Sequence, residues 1–225
     1  VPSFEEAHDI TMKVVAVGSG EALELGRGGD ADVLLVHSPE AEVRFMEEGH
    51  GISRKPVMSN RFVIAGPADD PANVASAPDV VEVFDRIARA QAAFLSRGDE
   101  SGTHKRELAI WRDAGIEVSG DWYLSSGQGM AETISIAAQT GAYLLTDSAT
   151  FAVVRSKGDL KRLFSGDGSL DNLYSVIVTK KSKNPKAAEA FSSWITSGTG
   201  SRLISSYGVE IYDGAPLFTP VTDGP

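Results

Sequence analysis

The sequence predicts an α/β fold built on mostly parallel sheets, and two observations carry the prediction. Apolar runs of strand length alternate with amphipathic stretches of helix length along all 225 residues. Nearly every junction from an apolar run into a helix is rich in Gly, Ser or Thr. In open sheets of this kind, ligands bind beyond the carboxyl ends of the strands, where those junctions lie. A hydrophobic content of 42% and a charged content of 23% suit a globular protein. The length allows one large domain or two small ones with buried cores.

The elements follow in order. "MKVVAVGSG" reads as a strand ending in Gly18-Ser19-Gly20, and "EALELGR" as a helix stopped by Gly28-Gly29. "ADVLLVHS" is the near-continuous apolar run of a strand buried on both faces. Ser38 then caps a helix with Pro39 at its first position and Gly49 closing it. "NRFVIAGP" is a strand. A Pro-rich loop, "PADDPANVASAP", leads into a helix with Val80, Val83, Phe84, Ile87 and Ala88 on one face. A strand ends at Ser96, and a helix follows Thr103. "WYLSSGQGM" repeats the strand-to-helix pattern, into a helix that buries Met130, Ile134, Ala137 and Ala138. "AYLLTDSATF" is a strand turning at Thr146-Asp147-Ser148. "LYSVIVTKK" is a late strand, and Asn184-Pro185 start a helix with Ala187, Ala190, Phe191, Trp194 and Ile195 in register. Trp111, Trp122 and Trp194 read as packing residues.

Composition excludes several function classes. A net charge of −10 argues against nucleic-acid or anionic-membrane partners, which are bound through clustered Lys and Arg. No apolar stretch approaches the roughly 20 residues of a membrane helix. There are no cysteines, so disulfides, thiolate metal sites and a cysteine nucleophile are out. The four histidines are dispersed with no metal-binding spacing. "GSGEAL" lacks the Lys and hydroxyl residue of a phosphate loop. A negative net charge does not exclude a small anion, because a pocket of backbone N–H groups sets its own potential.

The most informative stretch is "SRGDESGTH", residues 96 to 104. A helix start exposes unpaired N–H groups and the positive end of the helix dipole. Gly lets the backbone approach an anion closely, Ser and Thr add hydroxyl donors, and Arg97 can fork onto two oxygens. This turn predicts a tetrahedral oxyanion held at a helix N-terminus. Asp99 is either a cap for the turn amides or an acceptor for a protonated oxyanion.

Together "VVAVGSGEALELGRGGDADVLLVHSPEAE", "FLSRGDESGTH" and "WYLSSGQGM" resemble the tungstate-binding proteins of ABC transporters. These belong to the group II periplasmic binding proteins, with molybdate-, sulfate- and phosphate-binding relatives. The likeness spans essentially the whole chain, to the closing "GTGSRLISSYGVEIYDGAPLF". It implies two α/β lobes joined by crossing strands, with the anion clamped between them: lobe I as residues 1–66 and 171–225, lobe II as residues 67–170. It implies Ser19, His37 and Ser38 as the ligand residues of lobe I. From lobe II it implies Ser96, Arg97, Ser101, Gly102 and Thr103, with Gly127, Gln128, Gly129 and Thr146 as further candidates. That family begins with a strand and a Thr/Ser-rich ligand loop, whereas "VPSFEEAHDI" resembles the end of its first helix, so that first strand is expected to be absent here.

The resemblance further implies a monomeric extracytoplasmic protein that captures tungstate or molybdate and passes it to an ABC permease. It implies no catalysis, no cofactor and no metal except within the oxyanion. Neutral donors suit a fully deprotonated dianion, which can only accept hydrogen bonds. Two alternatives stay open. One is a phosphate- or sulfate-binding homologue. The other is a hydrolase using Ser96 or Ser101 with His104, although no Gly-x-Ser-x-Gly elbow is present.

Overall fold

A computed structural model describes residues 1–154, 156–166, 168–210 and 216–221. The chain opens with α1 (Pro2–His8), α2 (Ser19–Gly28), β1 (Val33–Val36) and α3 (Pro39–Glu47). The 16-residue strand β2 (Gly51–Gly66) follows, then α4 (Val80–Ala90), β3 (Phe94–Ser96), α5 (Gly102–Asp113) and β4 (Tyr123–Ser125). Next come α6 (Met130–Thr140), β5 (Leu144–Asp147), α7 (Ser148–Val153) and β6 (Lys161–Phe164). The chain continues through β7 (Asp171–Thr179), α8 (Pro185–Ile195), α9 (Gly198–Ser206) and β8 (Thr219–Pro220).

The chain forms two compact units, Val1–Ser59 with Leu173–Pro225 and Asn60–Asn172. The chain therefore passes from one unit to the other inside β2 and again inside β7. A crossing made within a regular strand leaves no Pro/Gly linker to mark it.

In the first unit, β1 pairs antiparallel with β7, Leu34 opposite Ile177 and Val36 opposite Ser175. Met58 and Ser59 of β2 pair with β8. One core cluster joins Leu23, Leu34, Val36, Phe45 and Ile177. A second joins Phe4, Val57, Val176 and Phe191, with Phe4 edge-on to Phe191 at 5.2 Å. Residues 12–18 form no strand. Val14 and Val15 stay 64% and 57% exposed and no described strand pairs with that segment, although Met12 at its start packs against the Phe4 cluster.

In the second unit, residues 62–65 of β2 pair antiparallel with β5, and β6 lies along residues 64–66. Strands β3 and β4 are parallel, Ser96 beside Ser125. Parallel pairing thus occurs at the candidate turn, while β2 runs antiparallel to β5, β6 and β8, and β7 antiparallel to β1. Phe62 and Ile64 enter a cluster with Phe84, Phe94, Ile110 and Trp111; Val63 and Ala65 enter one with Leu95, Ile134, Ala137 and Leu144. Burial on both faces is why this part of β2 reads as one apolar run. Its first half, "GISRKPVMS", mixes Arg, Lys and Pro among the apolar residues and hides its strand character.

Candidate functional site

The second unit builds its turn from the end of β3. Gly98, at φ +62°, and Glu100, at φ +59°, reverse the chain between Ser96 and the start of α5. Gly98 meets that demand without a Cβ penalty, and a Cβ there would collide with the Ser125 hydroxyl. The turn is strapped to the segment after β4. The Ser126 and Gly127 N–H groups donate to the Ser96 and Arg97 carbonyls, both at 2.9 Å, and the Ser126 hydroxyl donates to the Arg97 carbonyl at 3.1 Å. The apolar face of α5 seats Trp111 against Phe84 and Phe94, with ring centroids 4.4 and 5.2 Å away. The helix start is therefore fixed to a packed core.

Arg97 pairs with Asp99 through its terminal nitrogen, while its Nε is buried with no partner among the described residues. Asp99 Oδ1 accepts the Ser101 N–H at 3.2 Å. Burial works to raise the Asp99 carboxyl, but hydrogen bonds from Ser101 and the Arg97 charge outweigh it and hold the group below its ordinary value. Both oxygens of Asp99 thus have partners inside the turn, where the carboxylate caps the Ser101 amide and pairs with Arg97. Ser101 caps α5 by accepting the His104 N–H at 3.3 Å. The Gly102 and Thr103 N–H groups belong to the first helical turn, which has no intrahelical partners for them. His104 Nδ1 accepts the Glu100 N–H at 3.1 Å, so the contacts linking Ser101, Glu100 and His104 are capping bonds and not a nucleophile–base pair.

The other lobe II candidates are placed differently. Ser96 is 1% exposed and its Oγ accepts the Gly98 N–H at 3.2 Å. Gly127, Gln128 and Gly129 lie exposed at the start of α6, whose N-cap is Gly129. Thr146 is fully buried, with its hydroxyl donating to the Asp147 carbonyl at 3.2 Å.

In the first unit, Ser19 is the first residue of α2 and is buried. Its Oγ accepts the His37 N–H at 3.2 Å, which joins the α2 start to the end of β1 and leaves the hydroxyl proton available to donate. The His37 ring stacks on Tyr174 at 4.7 Å, and Phe218 meets Tyr174 edge-on at 5.5 Å. Ser38 occupies the N-cap position of α3 but makes no side-chain cap. Instead its N–H donates to Glu42 Oε1 at 2.7 Å, and the fully buried Glu42 pairs with Arg54 at 2.7 Å. The helix supplies its own carboxylate to the cap, so the Ser38 hydroxyl is not used there.

Ser19, His37 and Ser38 are thus brought together in one unit, and residues 96–103 with 126–127 in the other. Sequence reasoning missed Glu42, Arg54, Glu107, Tyr123 and Tyr174. Glu107 carried a signal: it is a charged residue in register with the apolar face Thr103, Ile110 and Trp111. Among the described residues no group of three or more His, Asp and Glu side chains is placed to hold a metal ion, and no helix is long and apolar enough to cross a membrane.

Comparison with known proteins gives the arrangement a family. The PBP superfamily domain matches residues 1–199. The chain belongs to the PBP superfamily. Within it, the tungstate-binding protein TupA of Peptoclostridium acidaminophilum is 43% identical over 98% of this chain and 79% of its own length. TupA of Campylobacter jejuni is 40% identical over 92% of this chain and 80% of its own. The solved structure of the tungstate ABC transporter from Geobacter sulfurreducens superposes with a TM-score of 0.83 at 41% identity, covering 92% of this chain and 90% of that one. The tungstate-binding protein TupA from Desulfovibrio alaskensis G20 gives 0.81 at 39% identity, covering 99% and 91%. The α/β class and the resemblance carried by the three sequence motifs agree with this PBP membership.

Proposed function

We propose that this chain is an extracytoplasmic binding protein that captures a tetrahedral oxyanion and delivers it to the permease of an ABC importer, with no chemistry of its own. Tungstate is the first ligand, molybdate its nearest competitor, and the working form a monomer. The observation that carries the reading is Arg97: a guanidinium inside a Gly/Ser/Thr turn, at a helix start, with a buried Nε that no described residue engages. A tetrahedral dianion suits that donor, the amides of Gly102 and Thr103 and the Thr103 hydroxyl together. Within the first unit, Ser19 and Ser38 stand at helix starts with hydroxyls of the same neutral kind. The relatives whose names specify tungstate support the choice of ligand.

The test is a calorimetric titration with tungstate, molybdate, sulfate and phosphate at one pH. Tungstate, or tungstate and molybdate together, should bind at least a hundredfold more tightly than phosphate. A preference for phosphate would overturn the assignment.

A further inference from the structure

Glu42 stands in the first turn of α3 and is fully buried. Its Oε1 accepts the Ser38 N–H at 2.7 Å. Its Oε2 accepts the Arg54 Nε at 2.8 Å and pairs with a terminal nitrogen of the same guanidinium at 2.7 Å. Arg54 comes from β2, and its side chain is 25% exposed. All three residues belong to the first unit.

A carboxylate at this place is at odds with an anion at the same helix start. The first amides of a helix and the positive end of its dipole favour negative charge, and Glu42 already supplies one to α3. A dianion held by Ser19 and Ser38 would have that carboxylate as a neighbour, one hydrogen bond behind the Ser38 backbone. Buried charges are screened far less than exposed ones, so an uncompensated Glu42 would repel a dianion. Arg54 is the cation that compensates it. Removing one member of a buried pair leaves the other charge exposed to its surroundings without a partner.

We propose that Arg54 sets the affinity of the first unit for its anion by neutralising Glu42, a positioning residue that acts through Glu42 and does not touch the ligand. Glu42 holds the Ser38 amide, and Arg54 makes that bond compatible with a second anion beside it. The role in binding rests on the oxyanion reading above, with Ser38 as a ligand residue. The two charges of the pair then act on a dianion with opposite signs. Loss of the cation opposes binding, and loss of the carboxylate favours it. A pair that only supports the fold would give both losses the same sign.

The experiment compares Arg54→Met, Glu42→Gln and the double variant, by calorimetry with sodium tungstate and by thermal midpoint without anion. Arg54→Met should bind tungstate at least tenfold more weakly than the unmodified chain. Glu42→Gln keeps an oxygen for the Ser38 N–H and should bind at least threefold more tightly. The double variant should bind within threefold of the unmodified chain. Without anion, the midpoint of Arg54→Met should fall, and that of the double should lie above it. Weaker binding in both single variants, or Arg54→Met within twofold of the unmodified chain, is the mark of a purely structural pair and overturns the proposal. A double variant as weak as Arg54→Met also overturns it, since Arg54 would then act without Glu42. An unmodified chain that ignores tungstate would sink the oxyanion reading, while the midpoints still decide the neutralisation: a double no more stable than Arg54→Met contradicts it. Should Arg54→Met not fold, Glu42→Gln decides by sign, and binding no tighter than in the unmodified chain overturns the proposal.

Discussion

At the scale of single residues, Arg97 bears the most weight. Arg97→Ala should weaken tungstate binding by about 2–4 kcal/mol, roughly 30- to 700-fold, while the circular dichroism spectrum stays unchanged. Arg97→Lys should recover only part of the loss, because an ammonium cannot present the Nε donor and the terminal nitrogens as a planar fork. Binding within twofold of the unmodified chain in Arg97→Ala would remove the guanidinium from the site. Gly98→Ala tests the turn itself. Rotation of the Ser125 hydroxyl relieves the steric contact, but the left-handed backbone remains, so a stability loss of about 1–2 kcal/mol is expected together with weaker tungstate binding. Chemical denaturation and titration measure the two losses separately. These residues were legible because they are contiguous: "SRGDESGTH" carries its whole argument in nine positions. The groups behind them were not. Arg54 meets Glu42 across 12 positions and Tyr123 meets Glu107 across 16, and such pairs appear only once the strands are placed.

At the scale of elements, the joint between β1 and α8 makes a pH prediction. Asp32, just before β1, accepts the Ser182 hydroxyl and the Lys183 N–H at 2.7 Å and the Asn184 N–H at 2.9 Å, so it organises the turn into α8. Burial works to raise its carboxyl, but these hydrogen bonds outweigh that effect and lower it below the unfolded value. A group depressed in the folded state stabilises fully above its unfolded pKa, near 3.9, and loses that contribution as pH falls through the folded value. Asp32→Ala should therefore destabilise the protein at pH 7 by about 1–3 kcal/mol. The gap between variant and unmodified chain should close below about pH 4, as followed by urea denaturation across pH. A gap that stays constant down to pH 2 would mean that Asp32 acts by packing alone. Helices with clear punctuation were readable at this scale, α2 with Gly29 after it and α8 with Asn184-Pro185 at its start. Residues 12–18 show the converse. They carry an apolar strand pattern, yet a strand exists only where a neighbour supplies its hydrogen bonds. The strand β6 escaped notice because "KRLF" opens on two cations and carries no apolar run, and α7 because "SATF" reads as the continuation of the strand before it.

At the scale of the whole molecule, two compact units each place hydroxyl and amide donors at helix starts: Ser19 and Ser38 in one, the turn before α5 in the other. Alternation of strands and helices was enough to predict the α/β class, and three motifs in order were enough to point to the family. The chain passes between its two units within regular strands, with no change of composition at Ser59 or Asn172 to mark the exact residue. The central claim is that this chain captures one tetrahedral dianion through Arg97 and neutral donors. The most direct measurement is the tungsten content of the purified protein after equilibrium dialysis against sodium tungstate, read by inductively coupled plasma mass spectrometry. The account predicts one tungsten per chain, retained in excess phosphate and lost in Arg97→Ala; no retained tungsten, or the same amount with and without the arginine, would contradict it.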